Sequence, residues 1–390
     1  MSSADTRSEP ALEPIAFIDL DAQRRRLGPD LEEAILRVVR HGGYIMGPEI
    51  KQFEADLSAF CGAKHSITCA NGTDALAMPL MAKGVGPGDA VFCPSFTFAA
   101  TAEVVAWVGA TVVFVDVRPD TFNMDVASLE AAVAKAQREG LRPAVVIAVD
   151  LFGQPADHDA IGQICARHGM WLMVDAAQSF GSVYKGRTCG TIGTVTTTSF
   201  FPAKPLGCYG DGGAIFTDDD ELASVMRSLR VHGQGSDKYD NVRIGLNGRL
   251  DTIQAAVLIE KLRIFPDEIE RRNRVARRYS DALRDVAEVP VVPDGITSVW
   301  AQYTLRVRDG RRDEIAARLK QAGVPTAVYY PKPLHRQTAY KHYPTAGNGL
   351  PVSEQVATEV LSLPMHPYLD EATQDRIVEA VRAAFAGRAG

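Results

Sequence analysis

The stretch Ser66-Ile-Thr-Cys-Ala-Asn-Gly-Thr-Asp-Ala-Leu76 runs a short apolar segment through a glycine into a helical pattern that continues to Lys83. The same change of rhythm recurs downstream. Apolar runs at Ala90–Pro94, Thr111–Val115, Ala144–Val149 and Trp171–Val174 each follow a helix-like segment. Short strands alternating with helices read as a mostly parallel sheet covered on both faces, so the expected class is α/β. Gly213–Thr217 reads as one more strand. Upstream, helices are expected over residues 29–40 and Glu49–Cys61, separated by the turn-rich Gly42–Pro48.

Ligands of such sheets sit beyond the carboxyl ends of the strands. After the first strand, Gly72 frees the backbone and Thr73 can cap the next helix. Exposed N–H groups there suit a phosphate, although a plain N-cap explains the same residues. After the second strand, Phe96 and Phe98 each fit over a flat ring or in a core. After the Trp171 strand comes Asp175-Ala-Ala-Gln178-Ser179. A carboxylate there holds a cationic ring nitrogen, binds a metal or caps a helix. No histidine or second acid lies nearby to complete a metal site, so no metal is expected.

The β-prone run Val195–Phe201 delivers Ser199 and then Lys204, which Pro202 and Pro205 flank. Glycines at 207, 210, 212 and 213 leave a thin chain that a ligand can approach closely. Burial in a crevice turns a lysine into a nucleophilic amine; a surface lysine in a Gly-rich loop is the bland alternative. The combination is more telling than any part. A phosphate cradle, a flat-ring slot, a strand-end acid and a lysine beside a hydroxyl are what pyridoxal phosphate requires.

Composition narrows the setting. With 390 residues, two or three domains are expected. A net charge of −6 from interspersed acids and bases weighs against nucleic-acid and membrane partners. The six cysteines are scattered without a Cys-x-x-Cys pair, which fits a reducing cytoplasm and neither zinc nor disulfides. The aliphatic run Ala144–Val149 is too short to span a bilayer. Residues 1–15 are polar and read as a loose tail.

Eight motifs occur in order: Gly43-x-x-x-Gly47-Pro48, Asn71-Gly-Thr-Asp-Ala-Leu76, Pro94-Ser-Phe-Thr-Phe-Ala-Ala-Thr101, Asp175-Ala-Ala-Gln178, Ser199-Phe-Phe-Pro-x-Lys204, Gly210-Asp-Gly-Gly213, Asn247-Gly-Arg-Leu-Asp251 and Tyr330-Pro-x-Pro-Leu-His335. Together they resemble the nucleotide-sugar aminotransferases of fold type I, from Phe17 to the C-terminal helix. The resemblance implies a pyridoxal 5'-phosphate enzyme with an antiparallel strand at Gly213–Thr217. It implies a large cofactor domain over 16–280 and a smaller α+β domain over 281–390. Helices are expected at Thr252–Leu262 and Pro266–Leu283, and in the smaller domain at Arg312–Ala322, Ser353–Ser362 and Glu371–Phe385, with strands there at Gln302–Val307 and Thr326–Tyr330.

By the same resemblance, Lys204 carries the cofactor and moves protons. Asp175 partners the ring nitrogen, Gln178 the ring hydroxyl, and Phe98 the ring face. Gly72, Thr73, Asp74 and Ser199 hold the phosphate, with Asn247 donated by the neighbouring subunit. Tyr44, Arg249, Tyr330 and His335 are the substrate-facing candidates. The family's sister branch of dehydratases has histidine in place of the lysine, so Lys204 argues for amino transfer. Expected partners are L-glutamate and a nucleotide-linked keto sugar, in a cytoplasmic homodimer with shared sites that feeds surface polysaccharide such as lipopolysaccharide O-antigen. The look is nearest to enzymes aminating C3 of UDP-2-acetamido-3-keto-hexuronic acids. A 4-keto-6-deoxy sugar is the alternative, and a non-catalytic homologue the rival from another class.

Overall fold

The computed structural model describes residues 14–387 apart from 238 and 348. Its main sheet contains β1 (His65–Cys69), β2 (Asp89–Pro94), β3 (Thr111–Val115), β4 (Arg142–Val149) and β5 (Trp171–Asp175). A small sheet takes β6 (Val183–Tyr184) and β7 (Arg187–Thr188), and the main sheet resumes with β8 (Val195–Ser199) and β9 (Gly213–Thr217). The order is β1-β9-β8-β5-β4-β2-β3. β3, β2, β4, β5 and β8 run parallel, while β9 is antiparallel to both its neighbours. Val145–Ala148 in β4 are buried without a break. A strand covered by helices on both faces has no polar side to alternate with.

The covering helices are α1 (Leu20–Leu27), α2 (Pro29–His41), α3 (Pro48–Cys61), α4 (Gly72–Ala82), α5 (Ala100–Trp107), α6 (Val126–Arg138), α7 (His158–His168) and α8 (Asp220–Leu229). Local chemistry sets several ends. Proline opens α2 and α3, and left-handed glycines close both at Gly42 and Gly62. Helix α1 carries no strong apolar period. It is anchored through a polar contact, Gln23 Nε2 to the Glu268 carboxylate at 3.0 Å.

The long helix α9 (Thr252–Leu283) differs from the expected pair of helices broken before Pro266. An interior proline costs about 3 kcal/mol. The buried row Leu258, Leu262, Phe265, Val275 and Tyr279 along α9 outweighs that cost. α9 also runs through the expected boundary at 280 and lends Tyr279 and Leu283 to a second core. That core packs β11 (Tyr303–Arg306) and β12 (Val360–Leu363) with α10 (Arg312–Gln321) and α12 (Glu371–Ala386); β10 (Ile296–Thr297) joins the small β6–β7 sheet.

Two local expectations change there. The helix from Ser353 is α11 (Pro351–Glu359), which gives way to β12, because Val360, Leu361 and Leu363 are buried in register against β11. Thr326–Tyr330 forms one isolated bridge, Ala327 to Ser362, rather than a strand. Of the expected loose tail, residues 1–13 lie outside the described residues. Ile15 is buried in the second core. Among the described residues, no helix is long and apolar enough to cross a membrane.

Candidate active site

A cleft of about 660 Å³ opens beyond the carboxyl ends of β1, β2, β5 and β8. Gly72, Thr73, Asp74, Phe98, Asp175, Gln178, Ser199, Lys204 and Tyr330 all line it. A groove of about 860 Å³ beside α9 and α12 lies away from the strand ends and contains none of them.

At one end of the cleft, α4 begins against Ser199. A Cβ on Gly72 would stand 2.7 Å from Ser199 Cβ, and one on Gly213 would stand 2.5 Å from the Asn71 carbonyl oxygen. Only glycine at both positions lets the helix start, β8 and β9 converge this closely. Asn71 Oδ1 caps α4 by accepting from the Asp74 N–H at 2.8 Å. The Asp74 amide is therefore spent, and its carboxylate lies toward Gly248. The donors left for an anion are the N–H and hydroxyl of Thr73 and the Ser199 hydroxyl. Ser199 Oγ accepts from the Phe201 N–H at 3.2 Å and keeps its own hydrogen to give. This donor set fits a phosphate at a helix N-terminus.

The two phenylalanines separate cleanly. Phe96 is fully buried among Phe122, Phe152 and Tyr330, whereas Phe98 is 60% exposed in the cleft. Residues i and i+2 of an extended strand would share one side, but the chain bends over residues 95–97 just past β2, and that bend sends the two rings apart.

Deeper in, Asp175 is buried at the end of β5. One carboxylate oxygen accepts from the Ala177 N–H at 3.1 Å and the other from Thr101 Oγ at 3.3 Å. Burial raises its proton affinity, and the nearby Lys204 opposes that rise. Burial lowers the Lys204 pKa, with Asp175 as the countering charge. A half-buried amine with weakened basicity beside a buried acid is suited to covalent capture of a carbonyl and to proton exchange. Gln178 Oε1 accepts from the Phe152 N–H at 2.6 Å, and Nε2 donates to the Tyr330 hydroxyl at 3.2 Å. That fixes the amide and leaves one N–H of Nε2 to point at a ligand.

Four expected residues are not brought into the cleft. Tyr44, Asn247 and Arg249 lie on an outer strip where Ile45 bridges Asp251 and Val231 bridges Asn247. His335 is buried, with Nδ1 2.6 Å from Ser95 Oγ and Nε2 3.0 Å from Glu354. Both ring nitrogens are engaged, so His335 ties its loop to the end of β2 and to Glu354. Thr101, Glu103, Trp107 and Asp211 also line the cleft and were not selected from the sequence. Thr101 and Asp211 sit inside quoted motifs, which is the signal that pointed to them. Among the described residues no cluster able to hold a metal ion is present.

Fold and cleft together define a pyridoxal-phosphate enzyme of the aminotransferase class. Residues 26–382 match the DegT/DnrJ/EryC1/StrS aminotransferase family, and the chain belongs to it. It is 51% identical over 360 residues to the UDP-2-acetamido-2-deoxy-3-oxo-D-glucuronate aminotransferase of Pseudomonas aeruginosa, covering 92% of this chain and 97% of that one. A crystal structure of a family aminotransferase from Brucella abortus superposes with a TM-score of 0.94 at 56% identity, over 96% of this chain and all of that one. The pyridoxal-phosphate form of the putative sugar aminotransferase Spr1654 from Streptococcus pneumoniae gives 0.85 at 26% identity, covering 96% and 99%.

Proposed function

We propose that this aminotransferase moves the amino group of L-glutamate to C3 of a UDP-linked 2-acetamido-3-keto-hexuronic acid. It does so in the cytoplasm, as a homodimer whose clefts are each completed by the partner copy, on the way to a surface polysaccharide such as O-antigen. The observation that carries the sugar is the 51% identity, along nearly the whole of both chains, with the Pseudomonas enzyme whose name states that substrate.

The cleft supports a division of labour. Pyridoxal phosphate, when bound, supplies a ring that takes up the electron pair left as the donor's Cα–H bond breaks. Thr73 and Ser199 hold its phosphate at the start of α4. Asp175 keeps the ring nitrogen protonated, Gln178 gives its remaining N–H to the ring hydroxyl, and Phe98 covers the ring face. Lys204 anchors the cofactor at rest. When free, its Nζ would take the proton from the donor Cα and, with the keto sugar bound, would deliver a proton to C3 of the sugar. Tyr330 borders the sugar.

A second copy is supported by what one chain leaves in water. Tyr44, Ile45, Met46, Val242 and Ile244 are all exposed, Ile244 by 89%, along the strip that carries Asn247 and Arg249. Arg249 Nε is buried without a partner. A uronate and a diphosphate both require cations, and Arg249 offered across the interface meets that need. The test runs the reaction backwards, with 2-oxoglutarate and a panel of 3-amino uronates and 4-amino-6-deoxy sugars on each nucleotide. The 3-amino uronate on UDP is the expected substrate. Turnover of a 4-amino-6-deoxy sugar alone would replace the sugar, and no turnover of any would favour a non-catalytic homologue.

A further inference from the structure

Asp150 directly follows β4, behind the cleft floor, and is fully buried. Its backbone N–H donates to the Asp175 carbonyl at 3.0 Å. One carboxylate oxygen accepts from the Ala156 N–H at 2.9 Å and lies 3.0 Å from His158 Nε2. The other accepts from Ser179 Oγ at 2.9 Å and sits 3.6 Å from Cys189 Sγ. Apart from Cys189, which follows β7, these partners come from two chain segments. One is the loop from 151 to 158, whose Phe152 N–H orients the Gln178 amide. The other is the turn after β5, which carries Asp175 and Gln178 and ends on Ser179.

A carboxylate this deep is costly unless its lone pairs are filled. Here they are filled by donors that hold those two segments together. His158 is buried as well, its ring edge-on to Tyr184 with centroids 5.1 Å apart. Neither ring nitrogen is aligned to make a hydrogen bond, and Asp150, 3.0 Å from Nε2, is the polar group the ring faces. The pair takes no part in the chemistry described above, and neither side chain reaches the cleft.

We infer that Asp150, backed by His158, is the positioning residue for Gln178, locking the Phe152 loop against the Asp175–Ser179 turn so that the amide meets the cofactor's ring hydroxyl. This rests on the proposed role of Gln178. The physical reason is geometric. A glutamine amide has three torsions to fix, and its Oε1 is fixed by one backbone N–H. That N–H is only as well placed as its loop, and Asp150 is where loop and turn are joined.

The experiment compares wild type with Asp150→Asn, Ser179→Ala, Gln178→Ala and the double variant Asp150→Asn/Gln178→Ala, all full length. Pyridoxal 5'-phosphate affinity is measured by fluorescence, alongside the glutamate half-reaction and KM for the nucleotide sugar. Asp150→Asn is expected to weaken cofactor binding by about 10- to 100-fold, the effect of spoiling a charged hydrogen-bond network, with KM for the sugar little changed. The double variant should be no worse than the poorer single one, because both changes act on one contact. Ser179→Ala removes a single bond and should follow the same pattern more weakly, which keeps the test decisive if Asp150→Asn does not fold. His158→Gln, which retains an N–H for Asp150, should be milder than His158→Leu. Effects of Asp150→Asn and Gln178→Ala that multiply, or unchanged affinity in folded Asp150→Asn and Ser179→Ala, would overturn the inference alone. A wild-type protein that binds no pyridoxal phosphate would overturn the functional reading with it.

Discussion

Replacing Thr101 by valine tests how the buried acid of the cleft is held. Asp175 has two hydrogen-bond donors, the Ala177 N–H and the Thr101 hydroxyl. Valine keeps the shape and removes the second. A hydrogen bond to a charged group contributes about 1.5–3 kcal/mol, and at 3.3 Å this one belongs at the low end. The expected loss is therefore about 1.5 kcal/mol of support for the carboxylate, or roughly tenfold in rate if that charge is what holds the ring proton. The sign with pH follows from burial. Asp175 already binds its proton more tightly in the folded chain than in an open one. Losing Thr101 tightens it further, so the variant is weakened where Asp175 is ionised and recovers toward wild type as acid protonates it in both proteins. Urea unfolding of the cofactor-free protein at neutral and at acid pH reads the stability part, and the pH profile of the glutamate half-reaction reads the rest. A valine variant with unchanged stability and an unmoved acid limb would refute the idea that Thr101 supports this charge.

Lys204→Ala should abolish turnover while leaving pyridoxal phosphate bound without a covalent link, checked by borohydride reduction and peptide mass; near-normal turnover would refute the role of Lys204. Gly72→Ala should weaken cofactor affinity at least tenfold, since the added Cβ would stand 2.7 Å from Ser199 Cβ; fluorescence titration measures it. Mixing inactive Lys204→Ala and Arg249→Ala subunits should restore about one working cleft per heterodimer, and no recovery after confirmed exchange would count against shared sites. Lys261 is fully buried, donates to the Gly207 carbonyl at 2.7 Å, and has its pKa lowered to about 8 by burial. Between pH 8 and 10.5 the unfolded chain binds this proton and the folded one releases it, so wild type should gain stability relative to Lys261→Met, by about 3 kcal/mol across that window in chemical denaturation.

The parallel sheet was legible because β2, β3, β4 and β5 are short with apolar centres, and each is set off from the preceding helix by a glycine. Gly72, Asp175 and Lys204 were legible for a related reason, since strand ends are where this architecture places ligands. Helix α9 was not. A proline is a local signal, and the apolar row that carries the helix past it is paired with residues far away in sequence. The surroundings of His335 depend on distant contacts in the same way. A histidine in a proline-rich loop looks available until Ser95 and Glu354, distant in the chain, take both of its nitrogens.

What the sequence by itself determined is therefore the class, the order of strands and helices along the chain, and the residues delivered to one edge of a sheet, because periodicity, caps and glycines act within a few residues. What only the tertiary structure decided is which of those residues meet. It gave Phe98 rather than Phe96 to the cleft, placed Thr101 on Asp175, and set Tyr44, Asn247 and Arg249 on an outer strip. Those outcomes depend on contacts between segments tens to hundreds of residues apart, and no local pattern encodes the burial that selects them.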